Sequence, residues 1–223
     1  MSYGVILADP PWRYRVWSGN HGRRTAESFY PTMSCEELCT LRTHIDRWAA
    51  KDCALFLWVT APVLLDAPKV IKAWGFTYKT VAFTWVKMNK NGKPFTGMGY
   101  YTRANAEFCL LATRGKPRVK VHGINQVILA PRREHFRKPD EQYPRIMQLF
   151  EGPYLELFAR ARWPGRCGGW KRRARQCLTR YRSRALQIIR PPALSAVALS
   201  LPGAGLRHVV RSADRVLTGC ARY

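Results

Sequence analysis

Six short apolar runs divide the chain, at residues 3–8, 53–59, 80–86, 107–113, 126–130 and 154–159. Each is too short for a buried helix and reads as a buried strand. The first ends at Asp9-Pro10-Pro11, where two prolines cannot continue a ladder. Between the runs the spacing changes to that of helices. Ser34-Cys35-Glu36-Glu37 has the spacing of a capping box and predicts a helix from there to about Ala50. Residues 63–74 also read as helical, with Pro68 expected to kink or shorten the segment. Pro139 fits the first position of a further helix, with Asp140 and Glu141 near its positive end. That helix has an apolar stripe of Tyr143, Ile146, Met147 and Phe150, interrupted by Pro144. Residues 13–33 and 88–99 are polar and glycine-containing, and read as loops. There is no internal repeat.

Strands alternating with helices predict an α/β fold: a mostly parallel, doubly wound sheet covered on both faces. Ligands in such sheets sit beyond the carboxyl ends of the strands, so the residues just after each run are the ones that matter. A chain of 223 residues, 47% hydrophobic, suffices for one such core. No apolar run reaches the roughly 18 residues of a membrane span, and the chain opens without a basic leader, so the expected compartment is cytoplasmic. Seven scattered cysteines point to reduced thiols. Neither Cys-x-x-Cys nor His-x-x-x-His spacing occurs, and no metal is expected.

Charge adds a partner. The formal net charge is +24, a field that favours polyanions, nucleic acid above all. It is unevenly placed. Residues 1–166 carry 26 basic and 13 acidic residues, and residues 167–223 carry 12 basic residues and only Asp214. The expected organisation is a main domain over 1–166 and a basic, poorly ordered tail over 167–223, without capped or periodic elements.

The first strand end carries the most specific chemistry. An exocyclic amine on a planar base is a poor nucleophile, because its lone pair is delocalised into the ring. A carboxylate and a backbone carbonyl that accept both N–H bonds draw the nitrogen towards tetrahedral geometry and release that pair. Asp9 offers the carboxylate, while Pro10 and Pro11 offer carbonyls on a stiff turn without competing N–H donors. Trp12 offers a flat face for stacking, worth about 1–3 kcal/mol per base. The plainer alternative is a proline turn whose Asp caps a helix and whose Trp packs in the core.

The chain resembles the MT-A70-like family of N6-adenine methyltransferases, with its phage and bacterial branch. The resemblance rests on Ala8-Asp9-Pro10-Pro11-Trp12, Tyr30-Pro31-Thr32-Met33-Ser34, Leu55-Phe56-Leu57-Trp58-Val59-Thr60, Trp85-Val86-Lys87, Asn105-Ala106-Glu107, Lys138-Pro139-Asp140-Glu141 and Leu155-Glu156-Leu157-Phe158-Ala159-Arg160, in that order. It implies a Rossmann-like methyltransferase fold of permuted motif order, using S-adenosylmethionine. By the same resemblance, Asp9 and the Pro10 carbonyl within Asp9-Pro10-Pro11-Trp12 hold the adenine amine, and Trp12 and Tyr30 frame the base. Asn105 and Glu107 lie near the target, and Lys138 and Arg160 contact the cofactor together with Asp9. Lys138 and Arg160 suit that role physically, as cationic donors just before a helix and just after a strand.

The expected reaction is methyl transfer to the N6 amine of adenine in nucleic acid, DNA ahead of RNA. An adenine in a duplex would have to be flipped out, at a cost of a few kcal/mol. The loops around Asn20-His21-Gly22-Arg23-Arg24 and 88–99, with Arg132, Arg133 and Arg137, suit phosphate contacts, or simply form a solvated face. The end of the chain departs from the pattern. Relatives carry Gly-Asn-Gln or Gly-Asn-Glu beyond the last strand, and this chain has neither. The tail then reads as sequence foreign to the family, or as an Arg-rich nucleic-acid arm. Two other readings of the whole follow: a nucleic-acid-binding pseudoenzyme lacking part of the cofactor site, and a basic α/β protein whose Asp-Pro-Pro-Trp is only a turn.

Overall fold

A computed structural model describes residues 2–14, 31–99, 101–133 and 137–159, and the backbone of 170–174. Seven strands form one sheet: β1 (Tyr3–Ala8), β2 (Ala49–Val59), β3 (Thr77–Met88), β4 (Ala106–Arg114), β5 (Val127–Pro131), β6 (Tyr154–Ala159) and β7 (Trp170–Ala174). Their order is β5-β3-β4-β2-β1-β6-β7. β1 lies parallel between β2 and β6, β3 is parallel to β5 and β6 to β7, whereas β4 runs antiparallel to both β2 and β3. The sheet is therefore mostly parallel with one reversed strand. The helices are α1 (Cys35–Cys39), α2 (Arg42–Trp48), α3 (Ala67–Ala73) and α4 (Gln142–Leu149), with a 3-10 turn at Ala61–Val63.

The apolar runs are continuous because both sheet faces are buried. Ile6, Leu55 and Leu57 pack with Leu38, Ile45, Val70 and Trp74 under α1, α2 and α3. On the other face Val5, Leu7, Phe56 and Trp58 pack with Phe83, Trp85, Tyr143 and Ile146 under α4. Every second residue of β1 and β2 thus belongs to a different core, as the twofold alternation of a strand requires.

Strands β1 and β6 have the bounds expected from the sequence, but the helices differ. The capping box forms: Ser34 Oγ accepts from the Glu37 N–H at 3.2 Å, and Glu37 Oε2 accepts from the Ser34 N–H at 2.8 Å. The single helix predicted to follow is two, because Thr40 Oγ1 donates to the Glu37 carbonyl at 2.7 Å and offers the backbone an alternative to another turn. Pro68 shortens its helix rather than kinking it, since α3 begins at Ala67 and the proline falls in the first turn. The helix predicted to open at Pro139 opens at Gln142 instead. That start places Pro144 third, where the missing N–H would have no intrahelical acceptor anyway; a start at Pro139 would have put it deeper, against the carbonyl of a preceding turn. A further correction concerns the region beyond 166, which was expected to lack regular elements. Trp170–Ala174 is a strand, paired in parallel with β6.

Candidate active site

β1 lies inside the sheet between two parallel neighbours, and it delivers Asp9 to the carboxyl edge. Ala8 pairs with Leu57 on one side and Leu157 on the other, so the turn leaves an interior strand of the sheet. Pro10 and Pro11 are buried. The Pro10 carbonyl accepts the Trp12 N–H at 2.9 Å, and the Pro11 carbonyl accepts the Met33 N–H at 2.7 Å. These bonds make the turn rigid, and by valence each carbonyl keeps a second lone pair.

Trp12 is placed differently from the stacking role that its sequence position suggests. Its side chain belongs to the core under α1 to α3, and only 5% of the residue is exposed. Its indole N–H donates to the Trp58 carbonyl at 2.8 Å, pinning the turn to the end of β2. A ring covered on both faces offers no open platform, so the packing alternative describes Trp12. Tyr30 and Arg160 lie outside the described residues.

Four charges of alternating sign meet at this edge. Lys138 Nζ donates to Asp9 Oδ1 at 2.7 Å and stands 3.2 Å from Glu107 Oε2, while Lys87 Nζ stands 2.6 Å from Glu107 Oε1. Glu107 comes from the start of β4, and it reaches the carboxyl ends of β1 and β3 because β4 is reversed. Asn105, half-buried, accepts the Lys87 N–H at its own carbonyl, 2.9 Å away, and so ties the entry of β4 to the exit of β3. Each lysine also lies near an indole: Lys87 is 5.4 Å from the Trp85 ring centre and Lys138 5.5 Å from that of Trp58.

Burial pushes the Glu107 carboxyl up, but Lys138 and then Lys87 outweigh it and hold the group below the usual carboxylate range. The sign of the linkage follows. A carboxyl whose folded value is depressed contributes stability above its unfolded value, and that contribution is lost as pH falls through the folded one. The gap in melting temperature between the unaltered chain and Glu107→Gln is therefore expected to be constant from neutral pH down to the ordinary carboxyl range and to close below it. Melting curves between neutral and acidic pH check this, and a gap that widens in acid contradicts it.

A cavity opens beside Asp9 and Lys138, lined also by Trp58, Gln142, Tyr143, Glu156 and Phe158. The Trp58 indole N–H donates to Gln142 Oε1 at 2.7 Å, and the Tyr143 hydroxyl donates to Glu156 Oε1 at 3.0 Å. Phe158 adopts a positive φ of 62°, a left-handed backbone that costs a residue of this size roughly 1–3 kcal/mol and tends to occur at functional sites. Trp58, Lys87, Glu156 and Phe158 stand within the motif blocks of the sequence and Tyr143 in a predicted helix stripe, but the sequence assigned none of them, nor Gln142, to the site. One signal was available: Glu156 is a charge inside an otherwise apolar strand, a position seldom occupied without a partner.

The expected phosphate-tracking arginines are partly engaged. Arg133 and Arg137 both pair with Asp140, at 2.6 and 2.9 Å, while Arg132 lies 3.5 Å from the centre of the Phe95 ring. Gly97 and Gly99 are required by close packing of their loop on itself, because a Cβ at either would collide with the Ala104 or Thr102 carbonyl. Among the described residues no group of three or more His, Cys, Asp or Glu could hold a metal ion, and the four described cysteines are free thiols. Burial pushes the Cys35 thiol up to about 11 and Cys53 to about 12, which keeps both protonated and unreactive. No helix among the described residues is long and apolar enough to cross a membrane.

This site coincides with a family match. Residues 3–170 fit the MT-A70 family model, which takes in every strand from β1 to β6. The chain is 35% identical over 182 residues to the type II methyltransferase M.MunI of Mycoplasma sp, covering 73% of this chain and 74% of that protein. It is 35% identical over 162 residues to a probable N(6)-adenosine-methyltransferase MT-A70-like of Oryza sativa subsp. japonica, covering 71% of this chain and 21% of the relative. With the N(6)-adenosine-methyltransferase catalytic subunit METTL3 of Homo sapiens it shares 30% identity over 162 residues, covering 71% of this chain and 26% of the relative. The match thus spans most of the bacterial relative but about a quarter or less of these eukaryotic ones. With its Rossmann-like sheet and the Asp9 turn at the end of β1, the chain belongs to the MT-A70 family of S-adenosylmethionine-dependent N6-adenine methyltransferases.

Proposed function

We propose that the chain methylates the N6 amine of adenine in DNA, and that Asp9 is the group that receives and orients that amine. The observation that carries this reading is the Asp9–Lys138 pair, a carboxylate and an ammonium 2.7 Å apart at the end of β1 and on the wall of the cavity. The residues present fit the cofactor. Its amino-acid end carries one carboxylate and one ammonium, and Lys138 and Asp9 offer the complementary charges side by side. When bound, S-adenosylmethionine supplies a methyl group activated by attachment to a sulfonium.

The chain's own contribution is positional, the role in which enzymes recover much of a transfer barrier. The Asp9 carboxylate accepts an amine N–H, and the spare lone pair of the Pro10 carbonyl accepts the other. Lys138 attracts the cofactor carboxylate, with Arg160 assigned to the same cofactor by family resemblance. Glu107 holds Lys138 from behind, Asn105 fixes the backbone beside it, and Tyr30 is assigned to the base by the same resemblance. We place the catalytic unit in residues 1–166, with β7 of the basic 167–223 tail as an added sheet edge. DNA is favoured over RNA because the match to a type II methyltransferase runs through about three quarters of both chains. Net charge of +24 supports a nucleic-acid substrate of either kind.

The test is transfer of labelled methyl from S-adenosylmethionine to matched DNA and RNA oligonucleotides, with adenine-free versions of each as controls. Label in adenine-containing DNA is expected, and label only in RNA reverses the choice of substrate. Missing Gly-Asn-Gln or Gly-Asn-Glu beyond residue 160 favours a second reading, a nucleic-acid-binding pseudoenzyme. Oligonucleotide binding without binding of S-adenosylhomocysteine would establish that reading instead.

A further inference from the structure

We propose that Lys87 is a positioning residue of the transfer site: by neutralising Glu107 it keeps Lys138 directed at Asp9. The proposal rests on the reading of Asp9 and Lys138 given above and extends it to a residue to which that reading gives no contact with substrate or cofactor.

Lys138 stands between two carboxylates, 2.7 Å from Asp9 and 3.2 Å from Glu107. One ammonium cannot satisfy both equally, and the division depends on how much negative charge each presents. Glu107 is buried, where an uncompensated charge acts strongly on its neighbours. Lys87 Nζ lies 2.6 Å from its other oxygen and offsets part of that field. The nearer approach of Lys138 to Asp9 fits a Glu107 already supplied with a cation. Lys87 is itself fixed in place. Its N–H donates to the Asn105 carbonyl, and its carbonyl accepts the Phe95 N–H at 2.7 Å. Its side chain is only 21% exposed and lies near the Trp85 ring, unlike a lysine on a solvated face. Without Lys87, the buried Glu107 draws Lys138 away from Asp9, and both the carboxylate grip on the cofactor and the orientation of Asp9 suffer.

Lys87→Met, Lys87→Arg, Glu107→Gln and the double variant Lys87→Met/Glu107→Gln test this in the full chain. Affinity for S-adenosylhomocysteine is measured by calorimetry, kcat and KM with the DNA oligonucleotide, and folding by thermal melts. Lys87→Met is expected to lower both affinity and kcat about tenfold, the low end of what one charge-assisted hydrogen bond contributes, with KM for the oligonucleotide little changed. Lys87→Arg, which keeps the charge, restores most of the loss. The decisive arm is the double variant. Once Glu107 is neutral Lys87 has nothing to cancel, so the double variant should match Glu107→Gln alone within about twofold, the limit for coupling between independent sites. Losses that simply add, or a Lys87→Met chain within about twofold of the unaltered one, overturn the proposal. If Lys87→Met fails to fold, Lys87→Gln takes its place in the same comparison. An unaltered chain that transfers no methyl and binds no S-adenosylhomocysteine defeats the functional reading itself, and the role of Lys87 falls with it. An active unaltered chain with an inert Lys87 defeats this proposal alone.

Discussion

Asp9→Ala is expected to lower methyl transfer by about 10²–10⁴-fold, the range seen when one positioned proton-accepting or charge-stabilising group is removed from an active site. The amine loses its anionic acceptor, and the Pro10 carbonyl alone cannot hold both of its protons. The fold should survive. Asp9 follows β1 rather than filling it, its side chain is one-fifth exposed, and Lys138 still has Glu107 at 3.2 Å and the Trp58 ring nearby. The structural cost is then about 1–3 kcal/mol, that of breaking one charged hydrogen bond. Steady-state kinetics with the adenine oligonucleotide, beside a thermal melt, separate the two effects. An Asp9→Ala chain that retains a tenth of the activity, or that no longer folds, would contradict this role. Asp9→Asn is the sharper companion, because it keeps the shape and removes the charge.

Trp12→Ala should act in the opposite way, through folding. The ring is buried among the side chains under α1 to α3, and emptying such a site costs about 3–5 kcal/mol. Domains of this size are stable by roughly 5–15 kcal/mol, so the variant is expected to melt far lower or to be recovered unfolded. Trp12→Phe isolates the second contribution. It fills most of the space but leaves the Trp58 carbonyl without its indole donor, at about 1–3 kcal/mol. Had Trp12 been an open stacking platform, alanine would have raised KM for the oligonucleotide and left the melting temperature unchanged. That pattern is the one that would restore the stacking role.

The contrast between Asp9 and Trp12 shows what a sequence conveys. The runs at β1 and β6 were legible with correct bounds, because β1 ends against Pro10-Pro11 and β6, apolar but for Glu156, begins just after Gly152-Pro153. The capping box at Ser34 was legible because its two hydrogen bonds are local. Strand direction was not. Nothing in the composition of β4 reveals that it is reversed, and only the reversal explains how Glu107, at the start of a strand, meets residues at the ends of two others. β7 was hidden by its charge, since Trp170-Lys171-Arg172-Arg173-Ala174 resembles a solvated run more than the edge of a sheet. Of the candidate site, the Asp9 turn and Lys138 were singled out by motif and position, and they meet at one cavity. Trp12 was readable as two alternatives and packed as the plainer one. Lys87, Trp58 and Gln142 were invisible as a group because their link is spatial: each lies on a different element, and Gln142, only 2% exposed, has a use only once Trp58 is beside it.

The reversal of β4 also determines how news of a bound polymer would travel. In an all-parallel sheet every loop at this edge leaves a strand, and a pull on it dissipates outward. Here the stretch carrying Arg103 runs inward and reaches Glu107 after only Ala104, Asn105 and Ala106. The outer loop and the acid behind Lys138 are thus separated by only three residues of backbone, so a displacement of the one has a short path to the other.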